Sequence, residues 1–147
     1  MLTVPLQLPS DAAVVATPTL ETNTRTTFII KGINNPISSK TPLTFGEHFE
    51  LWTTDGAGGN LRLYSGQRSF VENSKRTTGQ VVKLVSSSTQ HTRWQILSLD
   101  RSLQLELKGC SVPANMIVAI NHVATNRNLS LELSAKVPTF QGTECYN

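Results

Sequence analysis

The sequence predicts an all-β domain, and three observations support this. The 147 residues include 14 serines and 18 threonines but only 16% charged residues, a composition typical of chains rich in strands and turns. Apolar residues occur in short alternating runs separated by Gly, Asn, Asp or Pro. No window has a sustained apolar stripe at helical spacing, so we expect no more than a turn or two of helix.

The first 25 residues differ in composition from the rest. They contain Pro5, Pro9 and Pro18, and the first basic residue is Arg25. This predicts an extended, proline-containing leader over residues 1–25, followed by a β domain over residues 26–147. Because the segment has no basic start, a secretory signal is not expected.

Three strands are predicted in the first half of the domain. They cover Phe28–Ile30, Glu47–Trp52 and Leu61–Tyr64, and the last two alternate apolar and polar residues. The glycine-rich segment Asp55–Asn60 between them is predicted to be a hairpin loop. A phosphate-binding loop would require a following helix and a lysine at a fixed offset, and the sequence has neither.

Four more strands are predicted in the second half, at Gln80–Val85, Arg93–Leu99, Leu103–Leu107 and Leu129–Leu133. The last two each place three leucines on one side and polar residues on the other, so we expect one buried face and one wet face. Seven or eight short strands joined by turns predict a barrel, a sandwich or a trefoil.

The chain also contains a faint internal repeat. Phe28–Ile30 corresponds to Trp94–Ile96, and Asn60–Leu63 corresponds to Asn128–Leu131, with offsets of 66 and 68 residues. A period this long lies outside the range of common solenoids. We therefore expect duplicated strand-turn-strand units packed around one pseudo-symmetric core.

The sequence contains no recognisable catalytic pattern. The three histidines His48, His91 and His122 are far apart and lack metal-ligand spacing, and no serine lies in a nucleophile elbow. Cys110 and Cys145 form no C-x-x-C motif, which fits a reducing compartment. We therefore expect a protein that is not an enzyme and that has neither a metal nor a cofactor.

The charge pattern favours an acidic partner over nucleic acid or membrane. Thirteen Lys and Arg outnumber ten Asp and Glu, a formal net charge of +3. Basic residues never run longer than Lys75-Arg76, whereas a nucleic-acid footprint normally has a denser stripe. No apolar run is longer than Met116–Ile120, which is far shorter than a membrane span.

Two groups of side chains are candidates for a protein interface. Arg62, Arg68, Lys75 and Arg76 cluster around the second strand pair, and Arg127 lies between two asparagines. Both groups are compatible with ordinary solvated charge or with a docking surface for an acidic protein. We expect Trp94 to fill the core, whereas Trp52, before a polar loop, is a candidate interface anchor.

Several segments, in order, resemble the cilia- and flagella-associated protein 161 family. They are Thr27–Ile30, Phe45–Leu51, Leu61–Ser65, Ser74–Arg76, Trp94-Gln95 and Val112–Arg127. The most specific stretch is V-P-A-N at Val112–Asn115, followed by I-N-H at Ile120–His122 and T-N-R at Thr125–Arg127. The resemblance covers roughly three quarters of the chain.

The resemblance implies an MIR-like, β-trefoil-type domain. Family members carry a further strand unit upstream and continue into a closing sequence, so this chain corresponds to the second and third parts of a trefoil. The first repeat is then missing, and the domain would be incomplete at both ends. We expect a partner chain or further sequence to cover the open sheet edge, because an uncovered edge promotes aggregation.

The resemblance also implies a structural role. The chain would be a microtubule inner protein of ciliary and flagellar doublet microtubules, in the axonemal cytoskeleton of the cytoplasm. It would bind the luminal wall of the A-tubule near the seam and contact tubulin and other inner proteins. No nucleic acid, membrane or small-molecule substrate is expected.

On this interpretation, five residues are nominated as partner-facing: Lys75, Arg76, His122, Asn126 and Arg127. The alternative is a soluble trefoil-type module that binds glycan or protein ligands in shallow pockets, with Trp52 exposed. The two hypotheses differ in whether the chain is held in an axonemal lattice or acts alone.

Overall fold

A computed structural model describes residues 10–18, 21–34, 37, 40–67, 79–133, 136–139 and 142–146. Strands dominate these parts. The strands are β1 (Val15–Ala16), β2 (Phe28–Gly32), β3 (Phe49–Thr53), β4 (Arg62–Gly66), β5 (Val81–Val85), β6 (Trp94–Ser98), β7 (Val118–His122), β8 (Arg127–Asn128), β9 (Lys136–Thr139) and β10 (Gly142–Tyr146). The helical segments are two 3-10 turns, Asp55–Ala57 and Gln90–Thr92, and one short helix, α1 (Gln104–Leu107).

Seven of the strands form a curled antiparallel sheet. Its order is β5-β4-β3-β6-β7-β8, and β2 pairs with β3 along its whole length. The remaining edge of β3 is shared, because Trp52 pairs with Arg62 of β4 and Phe49 pairs with Trp94 of β6. A mostly β, antiparallel architecture is therefore confirmed, whereas the MIR-like trefoil geometry stays a prediction.

The internal repeat corresponds to two three-stranded meanders. In the first, β3 lies between β2 and β4, and in the second, β7 lies between β6 and β8. The segments that precede β3 and β7 also pair with each other. Thr44 bridges Ser111, and Phe45 N donates to the Cys110 carbonyl at 2.9 Å. The repeat thus places equivalent strands around one core.

The core lies on the inner face of this sheet. Its buried members are Phe45, Phe49, Leu61, Leu63, Val82, Leu84, Trp94 and Ile96. They recur every second residue along the strands because alternate side chains of a strand share a face. Trp94 is 1% exposed, and its Nε1 donates to the Leu63 carbonyl at 2.9 Å. The prediction that Trp94 fills the core is confirmed.

Part of the predicted leader lies along β5 and forms hydrogen bonds with its backbone. Asp11 N donates to the Leu84 carbonyl, and Leu84 N donates to the Ala12 carbonyl at 2.9 Å. Ala13 forms a bridge with Lys83, whose Nζ lies 3.0 Å from Asp11 Oδ1. Beyond this contact, β1 joins a second sheet of order β1-β10-β9.

The predicted strand at Leu103–Leu107 is wrong, because this segment is a turn followed by α1. Asp100 Oδ1 accepts from Ser102 N at 2.9 Å and from Ser102 Oγ at 2.7 Å, which turns the chain. Leu107 N then donates to the Leu103 carbonyl at 2.9 Å. Leu107 packs against the core, whereas Leu105 is 83% exposed.

The predicted strand at Leu129–Leu133 is also wrong. The pairing with β7 ends at β8, and Leu129 N makes one more bond, to the Ile120 carbonyl at 2.8 Å. Leu129 packs against the core, but Leu131 and Leu133 are 45% and 68% exposed. The residues alternate between apolar and polar as in a strand, but the sheet ends at β8, before this segment.

Candidate docking groove and the outer face

A polar groove lies where β4 and β5 approach the ends of β6, β7 and β8. Its volume is about 830 Å³. Its polar lining residues are Ser65, Gln67, Gln80, Arg101, Gln104, Asn121, His122, Asn126, Arg127, Asn128 and Ser130. Amide side chains from separate elements therefore meet at one place, although they are far apart in the sequence.

His122 forms part of the groove floor and is 1% exposed. Its ring lies 5.0 Å from the Trp94 ring and 6.0 Å from the His91 ring, measured between centroids. Nε2 donates to the His91 carbonyl at 3.0 Å. Burial lowers the pKa of His122 and outweighs the hydrogen bond to His91, which acts in the opposite direction. The imidazole is therefore neutral at neutral pH.

Asn121 is the second buried polar residue of the floor, at 2% exposed. Its Nδ2 donates to Asn128 Oδ1 at 2.9 Å and to Asn126 Oδ1 at 3.3 Å, and its Oδ1 accepts from Gln95 Nε2 at 3.0 Å. Asn126 has φ 51°, a left-handed conformation that Asn tolerates better than most residues. The β7–β8 turn is thus fixed by an amide network.

The groove rim is cationic. Arg101 and Arg127 are both exposed and line the groove. Among the described residues that line it, none is acidic. Because His122 is neutral, the two guanidinium groups determine the charge of the described lining residues.

The outer face of the sheet carries a second cluster, centred on Trp52. Lys31 Nζ lies 3.6 Å from the Trp52 ring centroid and Arg62 Cζ lies 3.8 Å from it. Trp52 Nε1 donates to Glu50 Oε2 at 3.0 Å. The tryptophan is half-buried and held in a fixed orientation, because cations lie close to its ring and its polar atom has a partner.

Glu50 anchors this cluster, although it is only 4% exposed. Arg62 Nε lies 3.3 Å from its Oε2, and the hydroxyls of Ser88 and Thr92 donate to its Oε1. Burial by itself would raise the pKa of Glu50. The hydrogen bonds from Ser88, Thr92 and Trp52, together with the charge of Arg62, outweigh burial and lower it.

Three of the five nominated residues, His122, Asn126 and Arg127, line the groove. Asn126 and Arg127 are exposed at the rim, whereas His122 is buried beneath it. Lys75 and Arg76 lie outside the described residues.

Sequence reasoning did not identify Gln80, Arg101 or Asn121 as groove residues. Asn121 lies within the I-N-H stretch. Two adjacent polar residues, Asn121 and His122, directly after an apolar run were the sequence signal that could have identified it. Gln80 and Arg101 carried no such local signal.

Within the described parts of the chain, no helix has the length and apolar character needed to cross a membrane. The same residues contain no cluster of three or more His, Cys, Asp or Glu side chains suited to a metal ion.

The strand pairing defines a small, mostly β domain of two antiparallel meanders. The family model of the Cilia- and flagella-associated protein 161-like domain matches residues 6–146 of the sequence. The chain therefore belongs to the cilia- and flagella-associated protein 161 family, which confirms the predicted resemblance and indicates a protein of cilia and flagella.

Two curated relatives support this assignment. The chain is 34% identical over 103 residues to cilia- and flagella-associated protein 161 of Bos taurus, covering 69% of this chain and 32% of that protein. It is 32% identical over 106 residues to the protein of the same name from Danio rerio, covering 72% of this chain and 35% of that protein. The chain thus spans about a third of the length that the aligned relatives have.

Proposed function

We propose that the chain is a structural microtubule inner protein of ciliary and flagellar doublet microtubules. It binds the luminal wall of the A-tubule near the seam and contacts tubulin and neighbouring inner proteins. The observation that carries this proposal is the family match over residues 6–146, which supports a ciliary protein. The finer role follows the resemblance of the V-P-A-N, I-N-H and T-N-R segments.

The charge distribution supports docking on tubulin, which is strongly acidic. The chain has a net charge of +3. Among the described residues, Arg101 and Arg127 form a cationic surface at the groove rim, and Lys31 lies over Trp52 on the outer face. In a periodic lattice many weak contacts act together, so a single copy does not need high affinity.

The same proposal includes the domain organisation. Residues 26–147 form a trefoil-type, MIR-like domain that corresponds to two repeats, and residues 1–25 form the extended leader. The two three-stranded meanders support the pair of repeats.

Partner contacts are proposed at Lys75, Arg76, Asn126 and Arg127. His122 supports Asn126 and Arg127 from the floor of the groove, since it is buried and its ring contacts lie within the chain. This assignment predicts that charge reversal at the basic residues of the set weakens retention in the doublet.

The test is salt extraction of axonemes from ciliated cells that express the tagged chain. We expect the unmodified chain to remain with doublets at moderate salt and the Lys75→Glu, Arg76→Glu variant to be released. A matched control, Arg25→Glu with Arg93→Glu, carries the same charge change and should be retained. Failure of the unmodified chain to copurify with doublets would exclude the proposed role.

The second candidate function is a soluble trefoil-type module that binds glycan or protein ligands. The amide-lined groove favours it, because carboxamide groups suit the hydroxyls of sugars as well as peptide groups. This function predicts binding on a glycan array and no enrichment with axonemes. A chain that is enriched on doublets and silent on the array would eliminate it.

A further inference from the structure

In the groove, the oxygens and the NH₂ groups of the amide side chains differ in how far they are hydrogen-bonded within the protein. Ser65 Oγ donates to Gln80 Oε1 at 3.3 Å. The side-chain oxygens of Asn126 and Asn128 both accept from Asn121. The side-chain oxygens of Asn126 and Asn128 are thus engaged inside the protein, and their NH₂ groups remain for a ligand.

The charged side chains of the groove also supply hydrogen-bond donors. Arg101 and Arg127 supply ten N–H donors, five from each planar guanidinium group. No carboxylate is present among the described lining residues. A surface with two guanidinium groups and, among its described residues, no carboxylate is complementary to a ligand that carries carboxylates and carbonyl oxygens.

We propose that this groove binds an extended acidic peptide segment. Arg101 and Arg127 pair with glutamate or aspartate side chains, and the NH₂ groups of Asn126 and Asn128 donate to the peptide backbone. This inference deepens the proposed function, on which it rests, because the peptide would belong to an acidic partner in the doublet.

The size and lining of the groove favour a peptide over the other anionic ligands. A volume of about 830 Å³ lies near the upper end of ordinary ligand sites and greatly exceeds one phosphate ion. Single-stranded nucleic acid needs exposed aromatic rings on which bases stack. Among the described residues, the rings that line this groove are those of Trp94 and His122, and each residue is only 1% exposed.

The experiment measures peptide binding by fluorescence polarisation with the purified full chain. The probe is a short fluorescein-labelled peptide of alternating Glu and Ser, and the control probe has Gln at each Glu position. We expect the acidic peptide to bind and the Gln peptide to bind at least about tenfold more weakly.

Substitutions test whether binding occurs in the groove. Arg101→Gln with Arg127→Gln should weaken binding of the acidic peptide about tenfold or more. Arg93→Gln with Arg25→Gln removes the same charge from exposed positions that do not line the groove and should leave binding nearly unchanged. Circular dichroism verifies that both double variants are folded.

Three results would overturn the inference. They are equal binding of the two peptides, equal weakening by the two double variants, and tighter binding of a labelled oligothymidine than of the acidic peptide. Since binding is measured on purified protein, such a failure leaves the ciliary assignment intact. Failure of axonemal retention with intact peptide binding would instead reject the proposed location.

Discussion

His122 Nδ1 lies 2.8 Å from Thr125 Oγ1, and the same hydroxyl lies 2.9 Å from Gln80 Oε1. A hydroxyl has one proton, so Thr125 donates either to the imidazole or to the amide oxygen. Because His122 Nε2 donates to the His91 carbonyl, the neutral ring has its lone pair at Nδ1 and accepts from Thr125. The protonation state of His122 therefore determines the direction of the hydrogen bond at the groove.

The lowered pKa of His122 predicts a loss of stability on mild acidification. Below its ordinary pKa of about 6.5, the unfolded chain binds a proton that the folded chain does not yet bind. The free energy of unfolding should therefore fall as the pH drops from about 7 towards 5. Urea unfolding midpoints measured across this range test the sign.

The matched variants for this prediction are His122→Gln and His48→Gln. The first should lose most of the decline between about pH 7 and 5.5, and the second should keep it. If His122→Gln does not fold, NMR titration of the His122 ring in the unmodified chain gives its pKa directly. A ring that titrates at or above its ordinary pKa contradicts the prediction.

Removing the Glu50 carboxylate should destabilise the fold strongly. The change Glu50→Ala leaves Arg62, whose side chain is 15% exposed, without its ion-pair partner. It also removes the acceptor for Ser88, Thr92 and Trp52. We expect a loss of about 3 kcal/mol in the free energy of unfolding, measured by urea denaturation.

The control for Glu50 is Glu106→Ala, which removes an exposed carboxylate. It should change stability by less than about 0.5 kcal/mol. Because the pKa of Glu50 is lowered, its contribution is present at neutral pH and is lost as the pH falls through its folded-state pKa. Equal effects of Glu50→Ala and Glu106→Ala would contradict the anchoring role.

Two glycines provide a matched test of backbone strain. Gly46 has φ 77°, and an added Cβ would lie 3.4 Å from Lys108 Cγ. Gly46→Ala should therefore cost about 1–2 kcal/mol, since L-residues avoid the left-handed region. An added Cβ at Gly79 meets nothing within 4 Å.

Gly79→Ala should be neutral or slightly stabilising, because it reduces the conformational freedom of the unfolded chain. Thermal melts of the two variants beside the unmodified protein give the comparison. A higher melting temperature for Gly46→Ala than for Gly79→Ala would contradict the assigned backbone conformation.

Strands with strict alternation were predictable because the pattern alone determines which side is buried. Leu61, just before β4, Leu63 on β4, and Val82 and Leu84 on β5 all lie in the core. In the sheet, Leu63 pairs with Leu84. Such segments require only the two-residue period and a turn on each side.

The leucine-rich segment at Leu103–Leu107 shows where this reasoning fails. Alternation places Leu103, Leu105 and Leu107 together on a strand, but a spacing of four also places Leu103 and Leu107 on one helix face. The hydrogen bonds from Ser102 to Asp100 favour the turn. A short apolar run cannot by itself distinguish the two structures.

The candidate groove was predictable only where its residues are neighbours in the sequence. Asn126 and Arg127 are neighbours in the sequence, so their proximity needed no tertiary information. Gln80 and Arg101 join them only through the curvature of the sheet. The Trp52 cluster likewise depends on strand register, which pairs Trp52 with Arg62.

The sharing of β3 among β2, β4 and β6 has a consequence for how the protein unfolds. Withdrawing β3 breaks the hydrogen-bonded ladder between the two meanders, so neither half keeps its neighbours once the other opens. The sheet should then melt in a single cooperative transition, and β3 amide protons should exchange with solvent only through that global event. A protease acting on the native ensemble would accordingly degrade the sheet as a unit instead of releasing a stable half.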